Sequence, residues 1–244
     1  MKTVKIAFFI AFVFNTLRVY AQQHTANDSL FLAYDVQQRT YWGLQAGLNY
    51  TSLYGKDISS LFADAKSPYK PAAQVGLFME NVLYKNWRLR HELNLIYNRA
   101  GVHLKDEQDG IFKSRIARLE VEVLPVVAVY QFQRVQVQLG PYFRTLAAAN
   151  ILRQDGNGSV YRDKDIYGTA DNNETTALYL QKFDFGAQAA VQVNIAKNYA
   201  LAFKYSRGFT DIFQHANSLT EGSPFPQKVY IFNHSWQIAI AYSL

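Results

Sequence analysis

The sequence predicts an all-β fold, an eight-stranded antiparallel up-and-down transmembrane β-barrel, and three observations predict it. Eight successive segments alternate apolar and polar residues with the period of two that a one-sided strand requires. The connections between these segments are alternately short and long. The composition is 15% aromatic but only 18% charged, which suits a chain whose every second strand residue meets lipid while the others stay polar. Strands in hydrocarbon must close on themselves, because an open edge would leave backbone groups without partners.

Residues 1–21 read as a secretory signal peptide, with Lys2 and Lys5 before the apolar run Ile6 to Phe14 and a cleavage site at Val19, Tyr20 and Ala21. The run is shorter than the ~20 residues a spanning helix needs. Lys2, Lys5 and Arg18 lie in this leader and no acidic residue does, so 25 less 3 basic residues against 19 acidic ones leaves +3 of the formal +6. No basic face with interleaved aromatics follows, which argues against nucleic acid as a partner. The absence of cysteine excludes a disulfide framework and thiolate chemistry. Residues 22–39 are polar and aperiodic and read as a periplasmic lead-in, and residues 40–244 as the barrel.

The first strand is predicted over Tyr41 to Leu53, the second over Pro71 to Tyr84 and the third over Trp87 to Val102. The fourth and fifth form a long hairpin within Arg118 to Ile151. In its first arm the odd positions from Leu119 to Val129 make the apolar face. After a reversal at Gln133 and Arg134, Val135, Val137, Leu139 and Phe143 oppose Gln136, Gln138 and Arg144. The sixth strand is predicted over Leu178 to Ile195, the seventh over Tyr199 to Ile212 and the eighth over Val229 to Leu244.

Short turns fall at Lys85 and Asn86, at Gln133 and Arg134, and at Ala196 to Asn198; longer loops are expected at 54–70, 103–113, 153–177 and 214–228. Bacterial barrels keep short turns in the periplasm, so both termini are expected there, in a multi-pass protein of the outer membrane. Two aromatic girdles agree, with Trp42, Trp87, Tyr199 and Tyr242 at the periplasmic ends and Tyr50, Tyr97, Phe209 and Tyr230 at the outer ends.

Strand parity turns Glu80, Arg88, Arg90, Glu92, Arg118, Glu120, Glu122, Arg144, Lys182, Asp184 and Lys204 inward. They form either a polar conduit or a plug of mutually compensating charges, and the narrow bore of an eight-stranded barrel favours the plug. Pro125 and Pro141 lie about equally far from the hairpin turn; they mark either a seam a partner could enter or, more simply, a bulge. Asp155 to Asp163 offers oxygen atoms at alternate positions, but Val160 stands where a calcium loop needs glycine and Ile166 where it needs glutamate, so no metal is expected. The tripeptides starting at Asn27, Asn157 and Asn173 match the glycosylation pattern in form only. His234 and Ser235 are neighbours on opposite faces, and His91 and His103 share one strand. No nucleophile, base and orienting group come together, so neither an enzyme nor a cofactor is expected.

The ordered run Pro125 with Tyr130, then Gly140-Pro141-Tyr142, then Asp184-Phe185-Gly186, then Tyr205 to Ile212 resembles the PorT-like outer-membrane barrel family of Bacteroidota over about residues 41–244. Glu120 and Glu122 are offset from that family's usual acidic position, and the chain ends in Leu244 where barrels often end in phenylalanine. The resemblance implies a non-enzymatic accessory of the type IX protein-secretion and gliding apparatus, with type IX components as partners; as an outer-membrane barrel the chain is also expected to meet outer-membrane lipid and lipopolysaccharide and, through the apolar end at Tyr242 and Leu244, the barrel-assembly machinery. The competing readings are a surface receptor or adhesin acting through the outer loops and a lipid-modifying enzyme.

Overall fold

The computed structural model describes residues 40–61, 64, 66–106, 110–154, 158–163, 180–213 and 230–244. Of the chain's two units, 1–37 and 38–244, these belong to the second; the expected leader and lead-in lie outside the described residues. The elements are β1 (Thr40–Tyr54), α1 (Ile58–Leu61), β2 (Lys70–Tyr84), β3 (Trp87–Asp106), β4 (Gly110–Phe132), β5 (Val135–Gln154), β6 (Val160–Asp163), β7 (Phe183–Asn194), β8 (Tyr199–Gly208) and β9 (Phe232–Ser243). All pairings are antiparallel, β1 bonds to β9, and the β4–β5 pairing closes eight strands into a barrel. The ninth, β6, lies outside the ring. It pairs with residues 151–154 of β5, on the edge that β7 leaves free above Thr145.

The alternation in the sequence appears as alternation between lumen and lipid. Trp42, Leu44, Leu48, Val75, Leu77, Leu93, Leu95, Phe203, Ile238 and Ile240 are each 44–57% exposed. An apolar band of this size would cause aggregation in water, whereas in a bilayer it meets acyl chains. The residues between them, such as Gln45, Asn94, Gln192 and Gln237, are buried. Trp87 packs on Tyr130 and Tyr199 on Tyr242 at the short-turn end. From Trp87 to Tyr97 is ten residues along β3, about 33 Å of strand and about 25 Å of height at the usual tilt.

Three expectations are corrected. The apolar face of the fourth strand does not run unbroken from Leu119 to Val129, because the β4 register shifts against both neighbours around Pro125. One extra residue reverses the phase, so Val127 and Val129 are buried at 2% and 0% while Val126 and Tyr130 face outward at 46% and 40%. Between Val123↔Phe143 and Ala128↔Leu139 the ladder is interrupted, and both Pro125 and Pro141 fall in the gap, as expected of residues that cannot donate to a ladder. The carbonyl of Pro125, freed by the bulge, meets Nδ1 of His91.

The second correction concerns residues 103–113, which are mostly strand: β3 and β4 stay paired as far as Asp106↔Gly110. The third is at the strand ends, where β7 starts at Phe183, β8 stops at Gly208 and β9 starts at Phe232. Beyond the band, Leu53, Ile58, Ala100, Val102, Ile116, Ile151, Leu180, Ile212, Phe213 and Ile231 pack into a buried apolar cluster. Above the lipid, then, inward positions are apolar and the barrel has an ordinary hydrophobic core.

Candidate functional site

Ten of the eleven ionisable residues assigned to the lumen are buried or half-buried within it: Glu80, Arg88, Arg90, Glu92, Arg118, Glu120, Glu122, Arg144, Asp184 and Lys204. The exception is Lys182, which is exposed in a bend just before β7 begins, where the chain no longer follows the strand parity that predicted an inward side chain. Its backbone carbonyl accepts from Leu146 N instead. Without Lys182 these ten are five acids and five bases, and each has an ion-pair partner.

The middle of the barrel is crossed by one continuous layer. Glu92 accepts from Arg90 Nε at 2.7 Å, from Lys204 Nζ at 2.9 and 3.1 Å, and from Gln45 Nε2 at 2.8 Å. Arg90 also donates to Gln192 and Gln45 and lies 3.7 Å from the Phe78 ring. These residues come from β1, β2, β3, β7 and β8, on different sides of the ring, so their side chains meet across the bore. Next to them, Asn94 donates to Glu122, which accepts from Arg144 Nε at 2.6 Å; Arg144 continues to Ser206, and Ser206 to Ser235. Toward the long-loop end Arg118 pairs with Glu120, and Thr51 donates to Asn98. Charges removed from water persist only when paired and hydrogen-bonded; Glu92 with Arg90 and Lys204, and Glu122 with Arg144, meet both conditions, while Arg118 is held among the described residues by its ion pair with Glu120.

Below the layer the barrel opens at the short-turn end into a polar recess of about 470 Å³, lined by Glu80, Arg88, Gln136, Gln192, Asn194 and Lys197 among others. Above it, toward the long-loop end, lies the buried apolar cluster. Among the described residues no group of three or more His, Cys, Asp or Glu could hold a metal ion. Asp155, Gly156 and Asn157 of the calcium-like stretch lie outside the described residues, and Val160 to Asp163 form β6. Ser235 faces the lumen while His234 faces outward, so that pair makes no catalytic couple.

Reasoning by charge missed the residue on which the short motifs converge. Tyr142, fully buried, donates to Asp184 Oδ2 at 3.2 Å, and the Arg144 guanidinium lies 4.1 Å from its ring. A Cβ at Gly186 would come within 2.6 Å of that ring, and one at Gly208 within 2.9 Å of Asp184. Gly140-Pro141-Tyr142, Asp184-Phe185-Gly186 and the glycine of the Tyr205 motif therefore specify one piece of lumen packing. The available signal was parity: Tyr142 lies two residues from Arg144, on the same face.

The girdle residues Trp42, Tyr50, Tyr97, Trp87, Tyr199 and Phe209 are 41–54% exposed. Tyr242 is half-buried, packed on Tyr199. Tyr230 lies before the start of β9, with the Lys56 ammonium 3.9 Å from its ring.

A family model described as "Outer membrane protein beta-barrel domain" matches residues 20–214. No curated protein matches. Among solved structures, the chain is similar to the attachment invasion locus protein Ail of Yersinia pestis (9% identity, 84% of this chain and 99% of that one, TM-score 0.41). It is similar to Neisserial surface protein A (8%, 83% and 97%, 0.43) and to OprG of Pseudomonas aeruginosa (11%, 85% and 97%, 0.42). Similarity this distant carries no argument about function.

Proposed function

We propose that this chain, which belongs to the outer membrane protein beta-barrel domain family, works in the outer membrane as a closed, non-catalytic scaffold that serves protein secretion rather than as a pore. The observation that carries this reading is the Gln45, Arg90, Glu92 and Lys204 layer, whose buried side chains meet across the bore between the recess and the apolar cluster. A barrel filled in this way acts through its rims and outer wall. With the short turns in the periplasm, both termini and the recess face the periplasm. The ordered motifs that resemble the PorT-like family support an accessory role in type IX secretion and gliding, with the barrel-assembly machinery and type IX components as partners. The test is deletion of the gene followed by proteomics of the medium. Loss of proteins carrying type IX sorting domains, with their periplasmic export intact, is expected; an unchanged secretome refutes the secretion role. In planar bilayers the purified barrel is expected to give no steady single-channel current.

One observation favours a second reading, a surface receptor or adhesin. β3 and β4, at 20 and 23 residues, rise well beyond the ~9–11 residues that cross a bilayer, and with β5 and β6 they build a paired extension. Trimming residues 153–177 would abolish binding on that reading and leave secretion unchanged on the first.

A further inference from the structure

Where β8, β9 and β1 rise above the apolar band, the outward face carries a cluster unrelated to the lumen. His234 is its centre, with ring centroids 5.4 Å from Tyr54, 5.4 Å from Tyr69 and 6.3 Å from Tyr205, and with the Tyr69 hydroxyl 3.4 Å from its Nε2. Arg207, opposite His234 in the ladder, is exposed, and its guanidinium lies 4.6 Å from the Tyr54 ring. Tyr54 is itself anchored, its hydroxyl donating to the Gly208 carbonyl at 2.5 Å. Tyr205 packs on Trp236 at 4.6 Å, and beyond Trp236 the surface continues as the half-exposed Phe203, Ile238 and Ile240.

The guanidinium groups on this face stand apart from carboxylates. Among the described residues no carboxylate pairs with Arg207, nor with Arg99, which covers Tyr97 on β3 at 5.6 Å. In the lumen of the same molecule every base is matched by an acid. An unmatched guanidinium is a fork of donors suited to phosphate oxygens. The surrounding rings present flat faces to the C–H side of a sugar, and the apolar strip below suits acyl chains. These three chemistries occur together in a phosphorylated glycolipid standing in a leaflet, and the register sets Arg207 level with His234, with the apolar strip below both.

We propose that this face is a binding site for a phosphorylated glycolipid of the outer leaflet. Arg207 takes the phosphate, Tyr54, Tyr69 and His234 seat the sugar, and Trp236 with Ile238 contacts the first acyl chain. The outer-leaflet source rests on the proposed orientation; the chemistry of the site does not.

The test uses the full barrel in phosphatidylcholine nanodiscs carrying bisphosphorylated or dephosphorylated lipid A, with the lipid retained on the protein counted by native mass spectrometry. The parent is expected to retain the phosphorylated form about tenfold better. Arg207→Gln is expected to erase that preference, and Arg134→Gln, which removes the same charge at the short-turn end, to keep it. Arg207 is exposed, so heat-modifiable mobility should confirm that its variant folds. Equal retention of the two lipids by the parent, or an undiminished preference in Arg207→Gln, overturns the site. Orientation is read separately by labelling Val160→Cys, an exposed position in a cysteine-free chain, with an impermeant maleimide on intact cells. Retention without labelling overturns the outer-leaflet source and leaves the phosphate chemistry standing.

Discussion

Glu92→Gln is the substitution whose effect follows most directly from the lumen geometry. It preserves shape and removes one negative charge from between two buried cations. Glu92 and Lys204 have 0% exposed side chains, and so does Arg90. After the change Arg90 keeps only the Glu80 carboxylate at 3.6 Å, and Lys204 keeps no ion-pair partner among the described residues. Removing one member of a buried pair costs about 3–5 kcal/mol, because the remaining charge is left uncompensated in low dielectric. Lys204→Met added to Glu92→Gln restores equality of charge and should bring stability back to within about 1–2 kcal/mol of the parent. The assay is urea unfolding of the barrel in lipid vesicles, followed by tryptophan fluorescence and by the folded band on gels, with the slope checked for constancy. The reasoning fails if Glu92→Gln lies within about 1 kcal/mol of the parent, or if the double variant is as unstable as the two single losses added.

Gly186→Ala places a methyl group against the Tyr142 ring and the Arg207 backbone carbonyl; a loss of about 2–4 kcal/mol in the same urea titration is expected. Tyr142→Phe removes the donor to Asp184 and should cost about 1–2 kcal/mol by that measurement. Asp211 lies beyond β8, outside the spanning strands, where burial, aided by the Asp57 charge and opposed by hydrogen bonds from the Phe213, Ile231 and Ile212 backbone, raises its pKa from 3.8 to about 6. The folded state prefers the neutral acid, so its stabilisation is complete below pH 3.8 and is lost as pH rises through about 6. The protection of the Ile212 and Phe213 amides, exchange being corrected for its intrinsic rise with pH, should fall across that window in the parent, and Asp211→Asn should abolish the fall.

Much of the barrel was legible because lipid on one side and a polar bore on the other impose a period of two on the spanning strands. What was not legible follows from the places where that rule changes. At Pro125 a single inserted residue reverses the phase, and the composition of Leu124 to Tyr130, nearly all apolar, gives no alternation by which to detect it. Above the outer girdle the solvent changes from lipid to water, so the chemistry of the two faces exchanges. Ala100, Val102 and Ile116 turn in, while Arg99, Lys113 and Arg115 turn out. The apolar outward stripe ends there although the strand continues, so a reading keyed to that stripe takes residues 103–113 for a loop. Lys182 fails for the opposite reason, since parity was extended past the point where β7 begins.

The equality of five acids and five bases gains weight once Lys182 is excluded, because a polar lining chosen only for solubility has no reason to balance. Slipping any strand by one residue would turn its inward charges into lipid and its apolar residues into the bore, at a cost of several kcal/mol per exposed charge. Lys204 on β8 and Gln45 on β1 each reach Glu92 on β3, and Arg90 reaches Gln192 on β7, so strands that never pair along an edge are held in mutual register across the bore. The inward glycines belong to the same device, since Gly43 makes room for Phe78, and Gly186 and Gly208 for Tyr142 with Asp184. Residues that look like a conduit when read singly thus act together as an internal lock that fixes the register of a small barrel.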